Sequence, residues 1–303
     1  MKNKDFYTQM KLQEQEKRSA GNESTADLYR AVRNHFKNFN GKSELSLREV
    51  TAERVHGFAE WLRAKGLRVN SVNSYLSNFR AMYNRACESW KGRPQDSPFA
   101  RLRLKQEETR KRAAPFKVIE QLASLDLKEE PEKQQAADLA LFSFMACGMP
   151  FVDLVHLTRE NLSENGKVLS YHRQKTGTFI QMEVSAGMKR LIEHYSSEDS
   201  KFLFPVLPEN ATHEQYKFCL AKQNKALAEI CLCLDWDGEL TTYVFRHTWA
   251  SEAYHRHVPI AIISQALGHR SEQMTNNYLS AFGIAELTEA NKLVSGKIEM
   301  LVM

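Results

Sequence analysis

Tyr278 stands nine residues past the short Leu267-Gly268-His269 turn and downstream of the run Tyr243-Val244-Phe245-Arg246-His247, an order of groups that matches phosphoryl transfer through a tyrosine. A tyrosine hydroxyl is a weak nucleophile near neutral pH, because its reference pKa is about 10. It attacks a phosphodiester only where cationic groups hold the phosphate in line and stabilise the charge on its oxygens. Arg246 is the best clamp, since a guanidinium is permanently charged and offers a planar fork to two oxygens. His269 can donate to another oxygen. Taken singly, each residue has an ordinary reading, because most arginines before a histidine serve surface or packing roles and most helical tyrosines sit in a core or interface. The order of the groups carries the argument.

Two apolar patterns must position these groups. In the first hundred residues, Leu28, Val32, Phe36 and Phe39 recur on one face after the capping candidates Ser24 and Thr25. A second helix is predicted from Thr51, placing Val55, Phe58, Ala59 and Leu62 together and stopping at Gly66. A third, opening at Asn70 or Ser71, carries Val72, Leu76, Phe79, Tyr83 and Ala86. Arg63, Lys65, Arg68, Arg80 and Arg85 lie around the last two helices and their joining turn. Such cations either contact DNA phosphates, positioning the domain without reading sequence, or form the ordinary charged exterior of a helical bundle.

From Arg101 to Arg112 the chain reads RLRLKQEETRKR, with six basic and two acidic residues, and then Ala113-Ala114-Pro115. This is the composition of an interdomain strap that either lies on a phosphate backbone or is a solvated linker. Beyond it, Ala136 to Leu157 is mostly apolar but contains Gly148 and Pro150, which predicts two helices meeting at a tight junction. Two β-rich runs, 168–173 and 178–184, flank Gln174-Lys175-Thr176-Gly177, so a hairpin is expected with Lys175 at its tip or rim. Helical patterns then return, with turns near Pro205 to Pro208, Trp236 to Gly238 and Gly268.

Composition narrows the class. At 303 residues the chain is long enough for two domains, and Lys plus Arg exceed Asp plus Glu for a net charge of +5, which permits a polyanionic partner. None of the five cysteines forms a CxxC pair, and Cys231-Leu232-Cys233 is expected to be a buried apolar stretch rather than a zinc knuckle. With no apolar run of about 18 residues and a polar start without a signal core, the expected compartment is the cytoplasm, with no membrane partner.

Together the segments MACGMPFVDLVHL at 145–157, YHRQKTG at 171–177, TTYVFRHTWAS at 241–251, ALGHRS at 266–271 and TNNYL at 275–279 resemble the tyrosine recombinase (phage integrase) family, most closely the integrases of Bacteroides-type mobile elements. The resemblance implies a mainly α fold with a small β-hairpin, arranged as a two-domain DNA clamp. Residues 1–19 are read as an N-terminal extension, 20–105 as a SAM-like core-binding domain, 106–114 as the basic linker, and 115–303 as an α+β catalytic domain with a C-terminal helix from about 285. Leu287, Ala290, Leu293 and Val294 stand at helical spacing in the segment from Ala285 to Met303, which either docks on a neighbouring protomer or caps its own chain.

The implied reaction is site-specific DNA integration, excision or inversion without a cofactor or metal. Tyr278 attacks to give a 3′-phosphotyrosyl bond and a free 5′-hydroxyl, while Lys175 serves as general acid for the leaving oxygen. The implied partners are double-stranded DNA with paired recombination sites, a homotetramer assembled on that DNA, and an accessory DNA-bending protein. Two residues depart from the pattern. Tyr243 occupies the histidine position of the His-x-x-Arg motif, where a hydroxyl can still donate to phosphate or orient Arg246. Cys147 stands where the Bacteroides-type members carry their first catalytic arginine, and it supplies neither a permanent charge nor a bidentate donor. An engineered substitution, a lineage that has lost activity, or compensation by Arg173 would each account for it. Asp153 fits the acidic position after that motif, where it would orient neighbouring donors. A DNA-binding accessory that no longer cuts and a topoisomerase-like relaxing enzyme are the competing readings.

Overall fold

The computed structural model describes residues 5–88, 96–104, 107, 112–276, 278–279, 288–289 and 291–292. The chain divides into two compact units, Met1–Thr109 and Arg110–Met303. It is mostly helical, and its named strands form one two-stranded antiparallel sheet. No described helix is long and apolar enough to cross a membrane.

The first unit packs α1 (Phe6–Ser19), α2 (Glu23–Asn40), α3 (Ala52–Ala64) and α4 (Val69–Cys87) around a phenylalanine-rich core. The three predicted helices correspond to α2, α3 and α4. Residues 6–19, read above as part of an extension, instead form α1, with Phe6 and Met10 fully buried. Its polar residues are drawn into the fold by specific partners. Glu14 pairs with Arg33, and the buried Gln13 donates to the Met82 carbonyl at 3.0 Å. Asp5 caps the helix by accepting from the Thr8 backbone at 2.9 Å and also receives the Leu45 backbone at 2.7 Å. At the other end of this unit, the Asn70 side chain brackets the Glu107 backbone, donating to its carbonyl at 2.7 Å and accepting from its N–H at 3.1 Å.

The second unit contains α5 (Phe116–Ser124), α6 (Pro131–Met145), α7 (Phe151–Leu154), the hairpin β1 (Val168–His172) and β2 (Phe179–Glu183), α8 (Ala186–Tyr195), α9 (His213–Cys231), α10 (Thr242–His255), α11 (Ile260–Ala266) and α12 (Glu272–Asn276). The expected helix junction lies between α6 and α7. The hairpin pairs Val168 with Glu183 and His172 with Phe179, burying Leu169, Tyr171 and Ile180. Helix α10 is central, with Val244, Phe245, Arg246, His247, Thr248, Ala250, Ser251 and Ala253 all buried. A helix buried on nearly every side must satisfy its polar side chains internally, and that requirement shapes the site described below.

One local expectation fails. Cys231 is buried at the end of α9, but Leu232 is 86% exposed and Cys233 is exposed, because the chain leaves the helix there and turns outward. The helical spacing expected of Leu287, Ala290, Leu293 and Val294 falls on residues outside the described ones.

Candidate active site

The site forms where three chain reversals meet α10. The first is the end of α6, where Cys147 and Gly148 both adopt left-handed backbone, at φ 55° and 67°. A glycine is required at 148, since a Cβ there would stand 2.7 Å from the Arg246 Cα. This close approach turns the Gly148 carbonyl onto the Arg246 guanidinium, which donates to it at 2.9 Å.

The second reversal ends α11. Gly268 has φ 64° and the His269 N–H donates back to the Ser264 carbonyl at 3.0 Å, closing the helix end in the glycine-dependent manner. The turn leaves the Leu267 carbonyl facing inward, where it accepts from Arg246 at 2.5 Å and also from Arg173. It also aims His269 at the arginine, with Nε2 lying 3.2 Å from an Arg246 amine. The Leu-Gly-His segment thus works by its backbone as much as by its imidazole.

The third reversal is the hairpin turn. Arg173 is only 6% exposed, so it is a buried member of this cluster rather than a surface cation. Its Nε is paired with Asp153 Oδ2 at 2.7 Å, and Asp153 Oδ1 accepts the Gln174 backbone at 2.9 Å. Burial pushes the Asp153 carboxyl upward, while the Gln174 N–H and Arg173 pull it back. Asp153 therefore orients donors and has no free edge for nucleophilic attack. The Arg270 side chain donates to the Thr176 carbonyl at 2.8 Å, fastening the hairpin turn to the His269 segment. Lys175 is exposed at that turn, close enough to act electrostatically on His269.

Tyr278 closes the site. Its hydroxyl shares a hydrogen bond with that of Tyr243, and its ring stands 5.5 Å from the Arg246 guanidinium carbon. The ring is flanked by two imidazoles, His247 stacked at 4.5 Å and His269 at 4.8 Å between centroids. Ser251, a turn and a half after Arg246 on α10, donates to the Tyr278 carbonyl at 3.1 Å. Arg112 lies 5.9 Å over the Tyr243 ring, and the Ala114 N–H donates to Thr248 Oγ1 at 2.9 Å.

Electrostatics follow from this crowding. Desolvation, reinforced by Arg246, Arg173 and Lys175, brings the His269 pKa down to about 4, so the ring is neutral at pH 7. Burial and the hydrogen bond shared with Tyr278 raise the Tyr243 hydroxyl above its ordinary value. Burial likewise raises the Cys147 thiol, against the pull of Arg246. Arg246 is itself lowered by desolvation and by Arg173, the mark of two cations gathered around the single carboxylate of Asp153.

The structure thus brings Tyr278, Arg246, His269, Tyr243, Arg173 and Asp153 into one cluster, with Cys147 beside Gly148 and Lys175 at its rim. The five first-unit cations lie elsewhere and are all exposed. Arg63, Lys65 and Arg68 gather at the turn from α3 to α4, Arg80 is on α4, and Arg85 on α4 pairs with Glu16 at 2.7 Å. Sequence reasoning assigned no role to His247, Ser251 or Thr275, although Thr275 is completely buried with Oγ1 2.9 Å from His269 Nδ1. Its place three residues before the tyrosine, in a helix too short to need it for a core, was the available signal.

Two clamped arginines, a neutral imidazole and a tyrosine held among them make up the candidate site. The phage integrase family profile matches residues 115–282 and the phage integrase SAM-like domain matches residues 5–100. The chain belongs to the phage integrase family. Among solved structures, the Tn1549 transposon integrase in complex with transposon right end DNA is 15% identical, with 95% of this chain and 98% of that one covered and a TM-score of 0.64. A lambda integrase dimer bound to a COC' core site is 16% identical over 91% of this chain and 79% of that one, with a TM-score of 0.64. A lambda integrase tetramer bound to a Holliday junction is 14% identical over 85% and 70%, with a TM-score of 0.56. At these identities the likeness is one of fold. None of the curated proteins is significantly similar in sequence.

Proposed function

We propose that the chain carries out site-specific DNA recombination, with Tyr278 as the nucleophile that forms a 3′-phosphotyrosyl bond. The observation that carries this reading is the convergence of Tyr278, Arg246 and His269 from three separate segments, within contact of one another and with Arg246 and Arg173 both held on the Leu267 carbonyl. In this mechanism Arg246 holds two phosphate oxygens and Arg173 adds charge from behind. His269 donates to an oxygen, Tyr243 gives up Tyr278, and Lys175 protonates the departing 5′-oxygen. The bond that breaks is the one between phosphorus and the 5′-oxygen, the bond that forms is between phosphorus and the Tyr278 oxygen, and the proton that Tyr278 loses passes to solvent as Lys175 gives its own to the 5′-oxygen. Because the phosphotyrosine retains the phosphodiester's energy, a 5′-hydroxyl from another strand reverses the step.

The exposed cations of residues 20–105 would grip phosphates on duplex DNA, with 106–114 as the strap and 115–303 carrying the chemistry. Paired sites and four protomers, together with an accessory DNA-bending protein, fit this reading, and the lambda integrase tetramer on a Holliday junction supports the assembly. A cytoplasmic setting and kinship with Bacteroides-type integrases belong to the same proposal.

Cys147 favours a second reading, a DNA-binding accessory that keeps the fold and no longer cuts. Covalent trapping separates the two. Nicked duplexes built from inverted or direct repeats, once located beside the gene, are incubated with the chain and resolved under denaturing conditions. The recombinase reading expects a protein–DNA adduct that Tyr278→Phe abolishes while leaving non-covalent binding within about twofold, since only one hydroxyl is lost. No adduct at the cognate site, or an adduct that survives in Tyr278→Phe, overturns it.

A further inference from the structure

We infer that Thr275 is a positioning residue that sets which ring nitrogen of His269 carries the proton, an inference that rests on the recombinase reading for its effect on rate but not for its geometry. The two nitrogens of a neutral imidazole differ, one donating and the other accepting, and the partner of one fixes the role of the other. His269 is such a ring, because burial, reinforced by the neighbouring cations, keeps it neutral at pH 7.

In the structure its Nε2 lies 3.2 Å from an Arg246 amine, and its Nδ1 lies 2.9 Å from Thr275 Oγ1. A guanidinium can only donate. Nε2 therefore accepts, the proton sits on Nδ1, and Thr275 accepts it. To donate from Nε2 to a phosphate oxygen, the ring must hold the opposite tautomer. Nδ1 releases its proton and Nε2 takes one up, with no change in net charge, while the Thr275 hydroxyl rotates from accepting to donating. A hydroxyl serves both states, whereas a carbonyl or carboxylate in its place would fix the proton on Nδ1. Because Thr275 is completely buried, solvent cannot replace it. Its own place is secured by the turn it begins, in which the Tyr278 N–H donates to the Thr275 carbonyl at 2.8 Å. One residue thus ties the imidazole's proton to the segment that carries the nucleophile.

The test compares Thr275→Val, nearly the same shape without the hydroxyl, with Thr275→Ser, which keeps it, in the full chain. In single-turnover cleavage of a nicked duplex at saturating protein, Thr275→Val is expected to be slower by about tenfold or more. Thr275→Ser should lie within about threefold of wild type, and in a His269→Ala background Thr275→Val should cost less than about twofold. The same loss with and without His269, or no loss at all while wild type forms its adduct, overturns the inference and leaves Thr275 a packing residue. Nitrogen-15 spectra of histidine-labelled protein free of DNA, assigned with His269→Gln, need no cleavage. They should show the proton on Nδ1 in wild type and Thr275→Ser and a shifted tautomer ratio in Thr275→Val. An unchanged ratio overturns the inference, and a shifted ratio without any adduct in wild type sinks the recombinase reading while the positioning role stands.

Discussion

Replacing Cys147 with arginine should increase cleavage by orders of magnitude. The position is half-buried beside Gly148, whose carbonyl binds Arg246, and it already adopts left-handed backbone at φ 55°, so arginine meets the same backbone strain that cysteine does. Two opposing effects set the outcome. A donor aimed at the developing charge of a transferring phosphate is worth about 3–4 kcal/mol, or roughly 10² to 10³ in rate. Against this, unit charges about 6 Å apart at an effective dielectric near 20 repel by about 3 kcal/mol, and Arg246 and Arg173 already crowd the site, where Asp153 is the one paired carboxylate among the described residues. Without DNA the repulsion is unopposed, so Cys147→Arg should melt several degrees lower. A bound phosphate supplies the missing anion, and the catalytic gain then shows. Non-covalent affinity should change little beside the many backbone contacts expected of a DNA-binding enzyme of this size. The assay is single-turnover cleavage of a nicked duplex, with Cys147→Ser as the neutral control and Cys147→Lys as charge without the fork. Equal rates for Cys147→Arg and wild type would refute the reasoning and show that the buried Arg173 already fills the role, or that position 147 is not the arginine site.

Lys175→Ala should cleave far more slowly than wild type on ordinary DNA but recover on a substrate whose 5′ leaving atom is sulfur, which needs little protonation; equal impairment on both would remove the general-acid assignment. Gly148→Ala should lower stability by roughly 2–4 kcal/mol and abolish cleavage, because its Cβ would stand 2.7 Å from the Arg246 Cα in left-handed backbone, and a melting temperature within about 1 °C of wild type would contradict this. His269 links stability to acid: its folded pKa of about 4 lies below the unfolded value of about 6.5, so the unfolded chain takes up the proton first and stability is lost as pH falls from 6.5 toward 4. Discounted for its partial exposure, the loss is on the order of 1–2 kcal/mol, and urea unfolding of His269→Gln at pH 7 and 4.5 should show a shallower decline than wild type.

The periodic elements were legible because burial on one face leaves a repeat in the chain. The faces of α2, α3 and α4 recur at three- and four-residue steps, and the hairpin alternates around a glycine-containing turn. Helix α1 escaped because its buried face is completed by Gln13 and Glu14, whose partners Met82 and Arg33 are distant in sequence. The core status of Arg173 was hidden for the same reason, since it depends on Asp153 and the Leu267 carbonyl. Residue types announced Arg246, His269 and Tyr278 as candidates. The service of Thr275 to an imidazole six residues away, and the stacking of His247 on Tyr278, exist only once the short turns around Gly268 and α12 are formed.

Two guanidiniums converge on the single carbonyl of Leu267, and this makes capture of a phosphate an exchange rather than an addition. An incoming oxygen must outcompete a peptide oxygen that carries only partial charge. A ground-state phosphodiester, with one negative charge spread over two oxygens, would gain less by that trade than the transition state does. The transition state concentrates more charge on the same atoms and gains more. In the proposed reaction the peptide bond would therefore act as a threshold, weakening the hold on intact DNA relative to DNA in the act of being cut.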